Sequence, residues 1–229
     1  MGDWIAATAT ANGLRGWRLP DGFYATAPDE EGLRAALGRD LPIRRVSGAA
    51  RPMPCKVIMP PVNGAIAPVG QSTPPDESGE AIIAVAGAIA PRPNWDGVVL
   101  VAGVRSCWVH VSAGEAISLQ SFVSGQIADT FSVAPTEHSG FDEALNTVLS
   151  RPERLATLLA RPDLTQGMIW GGLIGAELAA SRAYWLGQQV LITGENAELY
   201  HTALKMQGVP AEWLDEYETL KAGFLAIGA

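Results

Sequence analysis

The chain has 229 residues, of which 48% are apolar and 17% charged, with a formal net charge of -8. The apolar share is too high for a disordered chain, and the length allows one domain or two modest ones to bury a core. The negative charge repels phosphate and anionic headgroups, which argues against nucleic acid or a membrane as partner. Two cysteines, Cys55 and Cys107, are too few for a disulfide framework and have no zinc spacing, and His110, His138 and His201 are scattered. Asp3 stands where a signal peptide needs basic residues, and the longest apolar run, Ala81 to Ala90, is half a membrane span. The expected location is cytoplasmic.

Trp4 to Arg18 reads as a β-hairpin or two short strands around Ala11-Asn12-Gly13, followed by the turn signal Pro20-Asp21-Gly22. Asp29 to Leu37 reads as a short helix, with acids in its first turn and Leu33 and Leu37 on one face. Arg44 to Ser47 suits a strand. Prolines at 52, 54, 60, 61, 68, 74 and 75 predict a strand-poor connector with an extended piece at Lys56 to Met59. Ala81 to Ile89 is apolar and Ala-rich, which favours a helix over a buried strand, with Ser78 as its cap and Pro91 and Pro93 past its end.

Gly97 to Ala102, Cys107 to Ser112 and Ala116 to Val123 predict a β-meander. From Phe141 the period turns helical, through Leu145, Val148 and Leu149 and then Leu155, Leu158 and Leu159. Met168 to Trp185 reads as one long helix, whose Gly171, Gly172 and Gly175 let it pack closely. A strand at Val190 to Thr193, a turn at Gly194 to Asn196, and helices at Glu198 to Gln207 and Glu212 to Ile227 complete the chain. The pattern predicts α/β layers in two related lobes.

Several stretches, in order along the chain, resemble the 2-dehydro-3-deoxygalactonokinase family. Trp4-Ile5-Ala6 with Leu14-Arg15-Gly16-Trp17 brackets the family's W-I-A-x-D-W-G-T-S-x-L-R-A-W segment. Gly79-Glu80, Asp96-Gly97 and Ser106-Cys107-Trp108-Val109 are similar to its R-G-E-E-T, D-G and P-G-T-H-S-K-W-V. Gly172 to Ala179 is similar to its G-L-L-I-G-A-E helix, and Ile192-Thr193-Gly194 with Leu199-Tyr200 to its late strand, turn and helix. The resemblance implies a two-lobed actin-like ATPase (ribonuclease H-like) fold, α/β with a mixed sheet in each lobe and a reduced N-terminal lobe. It places that lobe at residues 1–93 and the C-terminal lobe at 94–229. It also implies ATP and Mg²⁺, a small sugar-acid substrate, 2-dehydro-3-deoxygalactonate, and compatibility with a homo-oligomer.

Phosphoryl transfer asks a protein to position phosphates, neutralise charge and hold an acceptor hydroxyl in line. By resemblance the first phosphate turn is Thr8-Ala9-Thr10-Ala11-Asn12, where Thr8 replaces a carboxylate and Thr10 a glycine. The second is Gly103-Val104-Arg105-Ser106-Cys107, in which Arg105 and Ser106 retain polar groups for phosphate. Ser78-Gly79-Glu80-Ala81 keeps Glu80 as the candidate catalytic acid, and Thr193-Gly194-Glu195-Asn196 is the implied contact with adenine and ribose. Ser124-Gly125-Gln126 replaces T-G-E, and the substrate stretch falls near Arg51 to Lys56 without its glycine or tryptophan. No residues are assigned as metal ligands. Three readings stay open: a sugar-acid kinase, a family member with weak or lost catalysis that binds a ligand or partner protein, and a structural role without ligand.

Overall fold

Period-two alternation gives the first strand, β1 (Trp4–Thr10), two buried faces. Ile5 and Ala7 pack with Leu33 and Leu37 of α1 (Glu30–Leu37), while Trp4 and Ala6 enter the main core. The computed structural model describes residues 2–10, 12–132, 134 and 139–228; Ala11 of the expected hairpin turn and His138 lie outside them. β1 pairs antiparallel with β2 (Gly13–Leu19), as the hairpin reading expects. β2 pairs in turn with β3 (Phe23–Ala27), and β4 (Ile43–Arg44) joins β1 in parallel, giving the order β3-β2-β1-β4. β3 is not signalled by the sequence: it is an edge strand with Phe23 and Tyr24 exposed, so burial imposes no alternation on it. Asp29 caps α1 by accepting the Gly32 N–H at 2.8 Å.

The proline-rich segment holds more strand than expected. β5 (Arg51–Pro52), β7 (Val69–Ser72) and β8 (Pro75–Glu77) form a small sheet, while β6 (Cys55–Lys56) pairs with a strand of the larger sheet. Pro52 and Pro75 fall in the two outer strands of the small sheet, where a missing N–H costs least. Ser78 does not cap the next helix with its side chain. Its Oγ accepts the Val69 N–H at 3.0 Å instead, and Glu80 takes the position before α2 (Ala81–Ile89).

The meander forms as β9 (Gly97–Ala102), β10 (Ser106–Ser112) and β11 (Glu115–Phe122). With β12 (Val190–Thr193) and β13 (Ala211–Trp213) it builds a six-stranded mixed sheet in the order β13-β12-β9-β10-β11-β6. α3 (Ser124–Thr130) follows the meander. Val98, Leu100, Trp108 and Ile192 pack beneath α4 (Phe141–Ser150), α6 (Gln166–Ala180) and α8 (Ala197–Met206), with the short α5 (Leu155–Leu159) and α7 (Arg182–Trp185) at the margin. A Cβ on Gly171 would lie 2.3 Å from the Phe141 carbonyl oxygen and one on Gly175 2.7 Å from that of Leu145. Close packing is thus what these glycines permit.

Two further expectations are corrected. The helix expected to run to Trp185 breaks at Ser181, and the residues expected to open the last helix continue the sheet edge as β13 before α9 (Glu216–Gly228) begins. α9 returns to the first sheet, where Phe224 packs against Trp4 and Trp17 with ring centroids 6.2 and 6.0 Å apart. α2 and α9 therefore form a helical layer between the sheets, touching Trp4 and Trp17 on one side and Val99, Val109 and Leu191 on the other. Among the described residues no helix is long and apolar enough to cross a membrane.

Candidate active site

Six segments meet at the open end of this central helical layer. They are the end of β1, β2 at Arg15, the start of α2, the β9–β10 turn, the β12–α8 turn and the start of α9. They enclose a cleft of about 510 Å³, within the range of small-molecule sites. Thr8, Thr10, Glu80, Arg105, Thr193, Gly194 and Glu195 all line it, although they lie up to 187 positions apart in sequence. Ser106 does not: it is buried below the β9–β10 turn and donates its hydroxyl to Glu177 Oε1 at 2.7 Å.

A carboxylate of the chain reaches each of the turns that the resemblance assigns to phosphate. Glu80 Oε2 accepts the Ala9 N–H at 2.9 Å across the cleft, and the Glu195 carboxylate faces the second turn, its Oε1 3.9 Å from where a Cβ on Gly103 would lie. Both arginines that line the cleft are also engaged. Arg15 reaches Glu216 Oε1 at 2.6 Å and Thr8 Oγ1 at 3.0 Å, joining β2, β1 and α9. Arg105 pairs with the Asp76 carboxylate and donates to the Glu77 carbonyl at 2.8 Å.

The far wall is built by α8 and its turn. Asn196 donates its backbone N–H to the Ala102 carbonyl at 2.9 Å and its side-chain amide to the Gly103 carbonyl at 3.3 Å. A Cβ on Gly194, whose φ is +111°, would come within 2.5 Å of the Ala102 carbonyl oxygen. Thr193 is fully buried, and its Oγ1 has no partner among the described residues. Burial, with the Glu216 and Asp129 charges behind it, pushes the Glu195 carboxyl above its usual range, against the pull of Arg15 and the Val104 N–H. Burial likewise pushes the Cys107 thiol up to about 11.

Arg15, Glu216 and Glu177 belong to this arrangement without having been singled out as site residues. Arg15 stands within the quoted Leu14-Arg15-Gly16-Trp17 motif and Glu216 in the expected closing helix, but neither position signals which way its side chain reaches. Among the described residues no three His, Cys, Asp or Glu side chains group closely enough to hold a metal by themselves. Mg²⁺ carried on nucleotide phosphates needs only one or two protein carboxylates, and Glu195 supplies a hard oxygen donor in the cleft outside any ion pair among the described residues.

Two mixed sheets separated by shared helices, with a cleft at the end of that layer, define the two-lobed actin-like ATPase and sugar-kinase class of fold; the first sheet is small, with four strands. The family model described as 2-keto-3-deoxy-galactonokinase matches residues 79–227, more than half of the sequence, and the chain belongs to that family. A proposed 2-dehydro-3-deoxygalactonokinase from Sinorhizobium meliloti has a similar crystal structure, with a TM-score of 0.80 and 20% identity over 98% of this chain and 97% of that one. The (R)-2-hydroxyglutaryl-CoA dehydratase component A of Acidaminococcus fermentans gives a TM-score of 0.52 and 13% identity over 99% and 98%. These two likenesses concern the fold alone. No curated protein matches the chain. Family membership supports a kinase-like function.

Proposed function

We propose that the cleft binds ATP and 2-dehydro-3-deoxygalactonate, and that phosphoryl transfer between them is weak or lost. The supporting observation is that a carboxylate stands at each phosphate turn: Glu80 accepts the Ala9 N–H, and Glu195 faces the turn at Gly103. An incoming phosphate meets one donor already satisfied, the Ala9 N–H, and two carboxylates of its own sign. In this reading Thr8, Thr10 and Arg105 face the phosphates and Thr193 and Gly194 the nucleoside end, with Glu195 reaching from that end toward the second phosphate turn. Glu80 is the carboxylate that, as general base, accepts the proton of the acceptor hydroxyl. Mg²⁺, when bound, neutralises charge on the phosphates, and Glu195 is the residue that would hold it. Residues 1–93 and 94–229 form the two lobes, with α9 crossing back to the first.

The pairing of Arg15 with Glu216 and of Arg105 with Asp76 favours a second reading, a non-catalytic member that binds a ligand or a partner protein. Calorimetry with Mg-ATP and with the keto-deoxy sugar acid, run beside a coupled kinase assay, separates the two. Turnover that Glu80→Gln abolishes supports the kinase with Glu80 as its general base. Binding of both ligands with little or no turnover fits the first reading, binding of only one without turnover supports the second, and no heat with either overturns the first and the small-ligand form of the second.

A further inference from the structure

We infer that Glu177 is a positioning residue that, from inside the core, fixes the nucleotide side of the cleft; this inference rests on the nucleotide reading above. Glu177 lies on α6 with 2% exposure. Its carboxylate meets no cation among the described residues but accepts four hydrogen bonds, two on each oxygen. Oε1 takes the Ser106 hydroxyl at 2.7 Å and the Trp108 indole N–H at 2.8 Å. Oε2 takes the Ser124 hydroxyl and the Tyr200 hydroxyl, the latter at 2.8 Å. A buried carboxylate demands such satisfaction, and apolar packing would fill the same space without the demand.

The donors are the segments that shape the cleft. Ser106 stands between Arg105 and Cys107, both of which line it. Ser124 opens α3, whose next two residues grip the same turn. A Cβ on Gly125 would fall 2.5 Å from the Gly103 carbonyl oxygen, and the Gln126 N–H donates to the Val104 carbonyl at 2.8 Å. Tyr200 lies on α8, whose preceding turn supplies Thr193, Gly194 and Glu195. One carboxylate thus locks the β9–β10 turn, the helix that clamps it and the helix behind the nucleoside wall. Of these elements only the β9–β10 turn comes near the stretch at Arg51 to Lys56, where Arg105 shares a surface pocket with Pro52 and Met53.

The choice of a carboxylate over an amide follows from the donor set. The Trp108 indole can only donate, so a Gln at 177 must turn its carbonyl toward Trp108 and its NH₂ toward Ser124 and Tyr200. Those two hydroxyls would then have to reverse, releasing α3 and α8 from the arrangement that shapes the turn.

The test compares wild type with Glu177→Gln, Ser106→Ala and Tyr200→Phe. It measures Kd for Mg-ATP and for the sugar acid by calorimetry, the melting temperature, and amide hydrogen exchange at Gly103, Val104 and Arg105. The expected result is a loss of Mg-ATP affinity of about tenfold or more in Glu177→Gln, with sugar-acid affinity held within about twofold and faster exchange at the three amides. Equal weakening of both ligands, or unchanged ATP affinity and exchange in a folded variant, overturns the inference. If Glu177→Gln does not fold, Ser106→Ala and Tyr200→Phe carry the same comparison with one donor removed at a time. If wild type binds no nucleotide, the nucleotide reading fails by itself. Exchange at the turn still decides whether Glu177 positions it: faster exchange supports the positioning role, and unchanged exchange overturns it.

Discussion

Gly87 of α2 and Gly223 of α9 face each other where the two central helices cross. A Cβ on Gly87 would lie 1.8 Å from the Thr219 carbonyl oxygen, and one on Gly223 would lie 1.9 Å from that of Ile83. Backbone meets backbone there, and no side chain is available to yield.

Gly87→Ala is therefore expected to cost about 3 kcal/mol or more, at the upper end of what overpacking a core costs. Urea denaturation read by circular dichroism measures it. Because α2 carries Glu80 at its start and α9 carries Glu216, Mg-ATP affinity should fall in parallel. A midpoint that does not move would show that the helices can separate without loss.

Glu195→Gln should tighten binding of ATP in the absence of Mg²⁺ by roughly threefold to tenfold, since a like charge leaves the cleft. Adding Mg²⁺ should then improve affinity less than it does in wild type. The raised Glu195 carboxyl sets a sign for pH: wild-type affinity for Mg-free ATP should climb as pH falls toward that carboxyl's titration, while the variant stays flat. Weaker nucleotide binding in both conditions would instead assign Glu195 to the ribose hydroxyls.

The two cysteines should differ in reactivity. Cys55 is half-buried, whereas Cys107 is buried with its thiol pushed up from 9.0 to about 11. A thiol reagent at pH 8 should modify Cys55 first and Cys107 only on unfolding, as followed by mass spectrometry. A raised folded-state pKa stabilises below the unfolded value and loses that contribution as pH rises through the folded one. Wild type should thus lose stability relative to Cys107→Ala between about pH 9 and 11.

Glu177 gives a second pH test. Burial raises its carboxyl above the usual 4.5, although four donors pull the other way. Its contribution to stability is therefore full below pH 4.5 and is lost as pH rises through the folded value. The stability of wild type minus that of Glu177→Gln should decline across this interval, by about 1.4 kcal/mol for each unit of separation. A difference that grows with pH would mean that the hydrogen bonds outweigh desolvation.

The parts of the fold legible in the sequence are those where a local pattern reports burial on a single face. The hairpin at β1 and β2, the meander, α4 and the close-packing glycines of α6 all have such patterns. β3 and β13 were missed because an exposed edge strand is held by its neighbour's backbone groups and needs no alternation of its own. The short strands around Pro52 and Pro75 were missed because proline excludes a central strand but tolerates an edge. The candidate site shows the same division. The resemblance pointed to Glu80, Arg105 and the Thr193-Gly194-Glu195 turn, which the fold brings to one cleft. It assigned Ser106 to phosphate, whereas the fold turns that hydroxyl inward to Glu177.

By itself the sequence determined the family, the order of most elements and the thinning of charge at the expected phosphate turns, because each of these is written in residue identity and spacing. Only the tertiary structure decided which remaining charges face one another. Arg15 and Glu216 are 201 positions apart and pair at 2.6 Å; Glu80 and Ala9 are 71 apart and share a hydrogen bond. Contacts of that range depend on α2 and α9 being sandwiched between the sheets, and no local pattern encodes that packing.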